Sequence, residues 1–390
     1  MRSFSLFDLL IALLLLIGAC AGPLLPRPAA HTTFIHPSTS TADEIFSLQN
    51  GSDQNDHPIF RGQALYTRFD STLQRGELWS AELDGSGSQR ILTGSSDHAI
   101  TDLAISPDGS QIAYVEASRG RPGVLHLAAV DGTSDRILAD DVALIGPHAF
   151  SPDGTLLAFV RYRQGEAGPE SGAIWVIETV ENKPGKPRQV SPWYGLISAP
   201  AWANARTLLF SAAPAAGSGA TLYRADIGSG TEVEPLTAGW LHDLSPDRQF
   251  MLVFFQPGAG SDDAQLFDYA IIPLEDGEAR PVRRWQWPLG LTSWSPDGAS
   301  IALISEKTGQ LHMIDVASGE QEQFSLADGR AIAGSVAWTP DSRGLLYIAN
   351  IDTEQRTAEL RLLDLDSVSE RSLVTLPAAD LVLVAVMDKR

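Results

Sequence analysis

Imidazole and carboxylate side chains are the material from which a metal site or an acid–base pair can be built, and this 390-residue chain holds 8 His and 48 Asp or Glu. The set best suited by type is Asp102, His148, His242, Asp243 and Thr292. Their linear spacing makes no site, so the elements that carry them decide whether they meet. Each stands shortly before one recurrent phrase: Asp102 before Ser106, His148 before Ser151, His242 and Asp243 before Ser245, Thr292 before Ser295. Local motifs for other chemistries are absent. The chain has no G-x-S-x-G elbow, no HExxH, no phosphate loop and no paired cysteines.

The phrase reads "ISPDGSQIAYV" at 105–115, "FSPDGTLLAFV" from Phe150 and "WSPDGASIALI" from Trp294, with looser copies at Ser245 and Thr339. A degenerate copy, "WANARTLLF", puts Ala203 at the equivalent position, and successive copies lie 42 to 52 residues apart. Pro107 presets φ, Asp108 bonds nearby backbone, and Gly109 supplies the left-handed residue of a three-residue hairpin loop. The aspartates of this phrase recur at one structural position, which makes them turn formers rather than ligands. Arg248 and Ser342 replace the glycine in two copies, so those two loops are expected to differ slightly.

Each turn feeds an apolar strand without alternation, such as "IAYV" (112–115) or "IALIS" (301–305), which needs cover on both faces. A second hairpin follows with alternating residues, as in "ELWSAELDG" or "QLHMIDVASG". The period fits a four-stranded blade, and the pattern predicts an all-β β-propeller of antiparallel blades. Seven outer hairpins argue for seven blades; six blades with an accessory hairpin is the alternative. The tail "ADLVLVAVMDKR" (379–390) supplies the strand that the first repeat lacks, so the C-terminal strand is expected to close the ring. These phrases resemble the WD40-like (PD40) repeats of the TolB-type β-propeller family over roughly residues 60–390. The resemblance implies a scaffold nearly silent about activity, and a family in which some members are metal-dependent polysaccharide lyases.

On such a ring the five residues above lie near the starts of inner strands and line an axial funnel; Ser198 and Gly334 stand there in other copies. Phe150, Trp202, Trp294 and Trp338, each just before the turn, fill seams between blades. Trp193, Tyr194, Trp240, Trp285 and Trp287 read instead as lying in links between an outer and the next inner strand, where they are candidate contact residues. The middle loops 161–173, 211–220 and 255–265 share that face and are rich in Gly and Pro.

The amino terminus reads as an export signal. "LLIALLLLIGACAG" (9–22) is short for a membrane span, and Ile17-Gly18-Ala19-Cys20 is similar to a bacterial lipobox, which implies lipidation of Cys20, the chain's one cysteine. Residues 1–19 are the signal, 20–57 a Pro/Ser/Thr-rich tether and 58–390 the propeller. Without lipidation the protein would be secreted. A formal charge of −20 repels nucleic acid and anionic headgroups. The function expected is therefore non-catalytic binding of a protein or peptide in the cell envelope by a lipid-anchored domain, without a cofactor. The alternatives are a funnel-based, metal-dependent polysaccharide lyase or glycan hydrolase, or a glycan-binding module.

Overall fold

The computed structural model describes residues 62–70, 74–118, 121–165, 168–179, 185–214, 219–255, 266–274, 283–288, 290–305, 310–324, 326, 336–352, 357–377 and 382–387. The signal, lipobox and tether lie outside the described residues, as does Gly334. Every regular element among the described residues is a strand, every pairing is antiparallel, and no helix is long and apolar enough to cross a membrane. The chain is a β-propeller.

The Ser295 repeat shows the plain form of the unit. Gly290–Trp294, Ser300–Ser305, Leu311–Asp315 and Gln321–Phe324 pair in chain order. The Ser245 repeat (Trp240–Leu244 to Arg283–Pro288) and the Thr339 repeat (Ala337–Trp338 to Ser369–Pro377) follow the same order. One sheet joins the two ends of the chain: Val382–Met387 lies beside Gln63–Asp70, from Gln63↔Met387 to Thr67↔Val382, and Arg75–Glu82 and Ser88–Thr93 follow.

Two repeats depart from the plain form for reasons visible in their sequences. Arg136–Leu144 pairs first with Gly123–Ala129 and then, through Val142 and Leu144, with Leu156–Gly165. One strand thus serves as the outer strand of the Ser106 repeat and the inner edge of the next, fusing the two into one seven-stranded sheet. "RILADDVAL" contains no Gly or Pro to break it, and Gly146-Pro147 ends the run. In the Ala203 repeat the inner edge is split into Leu196–Ile197 and Ala201–Trp202, both on Thr207–Ala213, around Pro200, which has no N–H to offer the ladder.

The recurrent turn is one hydrogen-bonded device. Ser106 Oγ donates to Asp108 Oδ1 (2.7 Å) and accepts Gln111 N–H (2.9 Å), while Asp108 Oδ1 accepts Ser110 N–H (3.0 Å). The Ser151, Ser245, Ser295 and Thr339 hydroxyls each donate to the following aspartate at 2.6 Å. In the Ala203 repeat, Asn204 Oδ1 takes over by accepting Arg206 and Thr207 N–H. The two loops without glycine keep the same geometry. Arg248 and Ser342 both adopt φ 59°, against 71° at Gly109 and Gly154 and 75° at Gly298. The hydroxyl–carboxylate frame holds these residues left-handed at a steric cost of roughly 1–2 kcal/mol each.

The middle strands are covered on both sides. Gln111–Ala117 is buried along its central five residues, whereas Ser88–Thr93 at the rim is half-buried or exposed throughout. Apolar clusters fill the seams: Tyr114, Ile112 and Leu103 pack on Leu65 and Leu78, and Phe159 packs on Leu125 and Leu127. The same happens where the chain ends meet, with Ala64, Tyr66 and Leu83 against Leu346, Ile348 and Leu360. The four pre-turn aromatics lie in such clusters, from 0% exposed at Trp202 to 6% at Trp294. Trp202 Nε1 donates to Ala149 O and Trp338 Nε1 to Ser293 O, each one repeat back.

Arg248→Gly removes a left-handed non-glycine residue whose Nη1 is buried without a partner. After the entropic cost of glycine is subtracted, it should stabilise the fold by about 0.5–1 kcal/mol in chemical denaturation. Acid should act on the turns. Backbone and hydroxyl donors, chiefly Ser110 N–H, hold Asp108 at about 2, below its ordinary 3.8. Hydroxyl and backbone bonds also lower Asp153, chiefly through Ser151. Depressed carboxylates contribute stability that is complete above their unfolded pKa and lost as pH falls through the folded one. Thermal melting should therefore fall between about pH 4 and 2, and less steeply in Asp108→Asn/Asp153→Asn.

Candidate functional site

Asp243 is the centre of the funnel residues. In strand Trp240–Leu244 the register against Phe250–Phe255 skips between Leu241 and Asp243, leaving His242 as the extra residue of a bulge. Asp243 Oδ1 accepts Leu244 N–H (2.8 Å), and Oδ2 accepts Trp294 N–H (3.1 Å) from the next repeat. His148 Nε2 lies 2.8 Å from Oδ1, reaching across from two repeats back. The ionised carboxylate only accepts, so Nε2 carries the proton and, in the neutral ring, Nδ1 keeps its lone pair. The His148 side chain is one-third exposed and that of Asp243 14%. His148 itself sits in the turn between Arg136–Leu144 and Leu156–Gly165 rather than in an inner strand.

The other three funnel residues do not join this pair. Asp102 follows a similar register skip after Ile100, and its Oδ2 accepts Ile145 N–H (2.7 Å) and Gly146 N–H (3.1 Å) of the following repeat, while Oδ1 accepts Leu103 N–H (3.0 Å). Part of the residue surface remains accessible, but burial of the carboxyl group pushes its pKa up against those three donors. The carboxylates of Asp102 and Asp243 thus act as staples from one repeat to the backbone of the next. His242 packs its ring on Phe254 (5.5 Å, edge-on) and Tyr269 (6.0 Å, stacked) of its own sheet. Thr292 pairs with Leu303, and its buried Oγ1 has no hydrogen-bond partner. Among the described residues no three His, Cys, Asp or Glu side chains form a group able to hold a metal.

Two charge clusters, one buried and one partly exposed, escaped the sequence reading. Glu77 is 0% exposed and receives Arg68 Nε (2.6 Å), Trp79 Nε1 (2.9 Å) and Arg90 Nη1 (3.1 Å). Burial pushes its carboxyl up, but the three donors outweigh that, and its pKa ends below the usual range. Arg68 stands directly opposite Glu77 in the ladder between Gln63–Asp70 and Arg75–Glu82. In the Ser106 repeat, His126 lies between Glu116 (3.5 Å) and Asp135 (3.3 Å) and stacks on Tyr114 at 4.8 Å. Ser95 N–H and Oγ both donate to Glu116, which ties this cluster to the preceding link.

The face opposite the recurrent turns differs from the expectation. The described residues of 161–173 lie in strands and not in a loop: Leu156–Gly165 and Gly168–Glu178 continue as a ladder to Gly165↔Gly168, the longest pair of strands among the described residues. Of 211–220, residues 211–213 belong to strand Thr207–Ala213, and of 255–265 only Phe255 is described. Trp240 opens its inner strand opposite Phe254, and Trp285 and Trp287 lie in the outer strand Arg283–Pro288, opposite Tyr269 and Phe267, rather than in a link. Trp193 and Tyr194 do fall in a link, stitched to the long hairpin by two bonds between Tyr194 and Gly172 (2.7 and 2.8 Å). Tyr194 packs on Phe210 and Tyr223, and burial pushes its phenol up. Any side chain at Gly172 would meet Tyr162 and Ile197, so this close approach requires glycine. Arg163 lies over the Trp193 ring at 4.1 Å; Arg161 lies over Trp175 at 5.0 Å and Phe159 at 5.5 Å.

No protein-family model matches the chain, and no curated protein matches it by sequence. Solved structures do share its fold. TolB from Acinetobacter baumannii is similar over 84% of this chain and 68% of its own, at 15% identity and a TM-score of 0.52. The periplasmic gluconolactonase PpgL of Pseudomonas aeruginosa is similar over 84% and 98%, at 14% identity and 0.56. An oligogalacturonate lyase in complex with manganese is similar over 74% and 82%, at 13% identity and 0.56. Likeness at this identity carries the fold alone.

If Asp243 acts as a staple, Asp243→Ala leaves two backbone N–H groups unpaired and should cost about 2–4 kcal/mol in urea unfolding. His148→Ala, at the half-open end of the same contact, should cost less than about 1 kcal/mol. Equal losses would mean that the imidazole, not the backbone, is the partner that matters.

Proposed function

We propose that this chain is a non-catalytic, TolB-like propeller of seven blades, anchored by lipid at Cys20 in a bacterial cell envelope, that binds a protein or peptide partner. The ring is closed by the sheet in which Val382–Met387 lies beside Gln63–Asp70, and the apolar cluster between the first and last repeats supports that closure. The export signal and tether hold the ring on the outer side of the membrane, facing the periplasm or exterior. The observation that carries the reading is the long strand pair Leu156–Gly165 and Gly168–Glu178, tied to the link at Tyr194 and carrying the exposed Arg163, while the carboxylates of Asp102 and Asp243 are engaged in joining one repeat to the next.

One observation favours a second, catalytic reading. His148 is oriented by Asp243 and keeps Nδ1 free of hydrogen bonds among the described residues, the arrangement of a base and its orienting group. That reading makes the funnel a site for a lyase or glycan hydrolase. A glycan-binding surface formed by Trp240, Trp285 and Trp287 is weaker, since these three lie in strands of one sheet rather than in exposed links.

Replacing residues 163–171 with a tight two-residue turn should abolish recovery of cross-linked envelope proteins and shift thermal melting by no more than a few degrees. Undiminished recovery overturns the binding reading. Turnover of a uronic-acid polymer by the intact protein, lost in His148→Ala, replaces it with the catalytic one.

A further inference from the structure

The geometry points to a site for an extended acidic peptide on the long strand pair Leu156–Gly165 and Gly168–Glu178, with Arg161 and Arg163 as its two anchors. This inference rests on the partner-binding reading and gives that partner a chemistry. Phe159, Arg161 and Arg163 alternate along one strand, so all three side chains stand on the same face. Trp175, opposite Phe159, lies under the Arg161 guanidinium, and Trp193 lies under that of Arg163. The result is a ladder of cations laid flat on rings. Stacking orients a guanidinium and occupies its face, leaving the in-plane N–H groups to form paired bonds with a carboxylate.

Several arginines among the described residues already have such partners. Arg68 and Arg90 bind Glu77, Arg206 binds Asp226, Arg343 binds Asp366, and Arg361 binds Glu359 and Glu370. Arg161 and Arg163 have no carboxylate within ion-pair reach among the described residues. The one hydrogen bond recorded for the pair is from Arg161 Nε to the Asp140 carbonyl at 3.1 Å. Acidic groups are plentiful, at 48 against 28 basic residues, and Asp140, Asp141 and Glu170 stand exposed on adjoining backbone. Arg163 is itself exposed. Two guanidiniums without a carboxylate partner offer a short-range complement to negative charge, while the net charge of −20 opposes it at long range, so a small acidic segment meets less of that repulsion than an acidic surface would.

Spacing narrows the partner further. Residues two apart on a strand lie about 7 Å apart, which matches carboxylates at alternate positions of an extended peptide. The fitting segment is therefore Asp/Glu-x-Asp/Glu in extended form. Trp193 offers an apolar contact beside the second anchor.

The test uses the purified full-length chain in a mild detergent and a short synthetic peptide with Glu at two alternate positions. Binding is followed by tryptophan fluorescence and calorimetry at low salt. Arg163→Gln and Arg161→Gln should each weaken binding about tenfold or more, and Arg163→Lys nearly as much, because lysine neither forks nor stacks as a plane. Arg343→Gln, an arginine already paired elsewhere, should change nothing, and thermal melts of all variants should coincide. A glutamine-for-glutamate peptide should not bind. Equal binding by the arginine variants, equal binding of the glutamine peptide, or tighter binding of an oligogalacturonate than of the acidic peptide overturns the proposal. Recovery of an envelope protein that is lost on replacing residues 163–171 but unchanged in Arg161→Gln/Arg163→Gln overturns this site and leaves the partner-binding reading standing.

Discussion

A strand that is apolar on both faces can be stable only with a layer on either side, and this constraint organises the molecule. Gln111–Ala117, Leu156–Gly165, Thr207–Ala213 and Ser300–Ser305 each carry large apolar residues on both sides, so none can end a stack of sheets. Each must therefore have another sheet packed on either side. The packing of Tyr66 and Ala64 on Ile348 and Leu360 is how the described residues meet that demand at the chain ends. The aromatic residue before each recurrent turn adds a directional element, since Trp202 and Trp338 hydrogen-bond to the backbone one repeat back.

Two buried or half-buried carboxylates are drawn into the same task. Asp102 and Asp243 accept N–H groups from the repeat that follows, at places where a bulge has disturbed the ladder. A carboxylate there replaces a missing backbone acceptor, and removing it would orphan a donor away from water. His148 is the exception: it meets Asp243 from across two repeats and retains open surface. The charge at the rim is organised differently. Glu77 and Arg361 are nearly enclosed by opposite charges, whereas the ring-stacked arginines of the long hairpin are not.

Much of this was legible because the recurrent turn is local chemistry. Proline, a hydroxyl and a carboxylate within three residues encode the loop whatever the surroundings, and the φ of Arg248 and Ser342 indicates that the frame persists even where glycine is missing. Burial of the pre-turn aromatics followed from their identical placement. The bulges at Ile100–Asp102 and Leu241–Asp243 could not be read in this way, since a register skip is settled by what the neighbouring sheet accepts. That is why Asp102, His242 and Asp243, alike as funnel residues in the sequence, end in three different environments. The crossing strand Arg136–Leu144 was hidden for a related reason: its sequence has no breaker, but its double pairing exists only once two sheets are in place.

The shared sheet at the chain ends has a consequence for synthesis. Each of the other sheets is contiguous in sequence and can form as it leaves the ribosome, whereas Gln63 must await Met387. Until then the Gln63–Asp70 strand has an open backbone edge of the kind that recruits strands from neighbouring chains. A copy lacking Val382–Met387 is therefore most prone to aggregate through Gln63–Asp70, the strand whose partner lies farthest away in sequence.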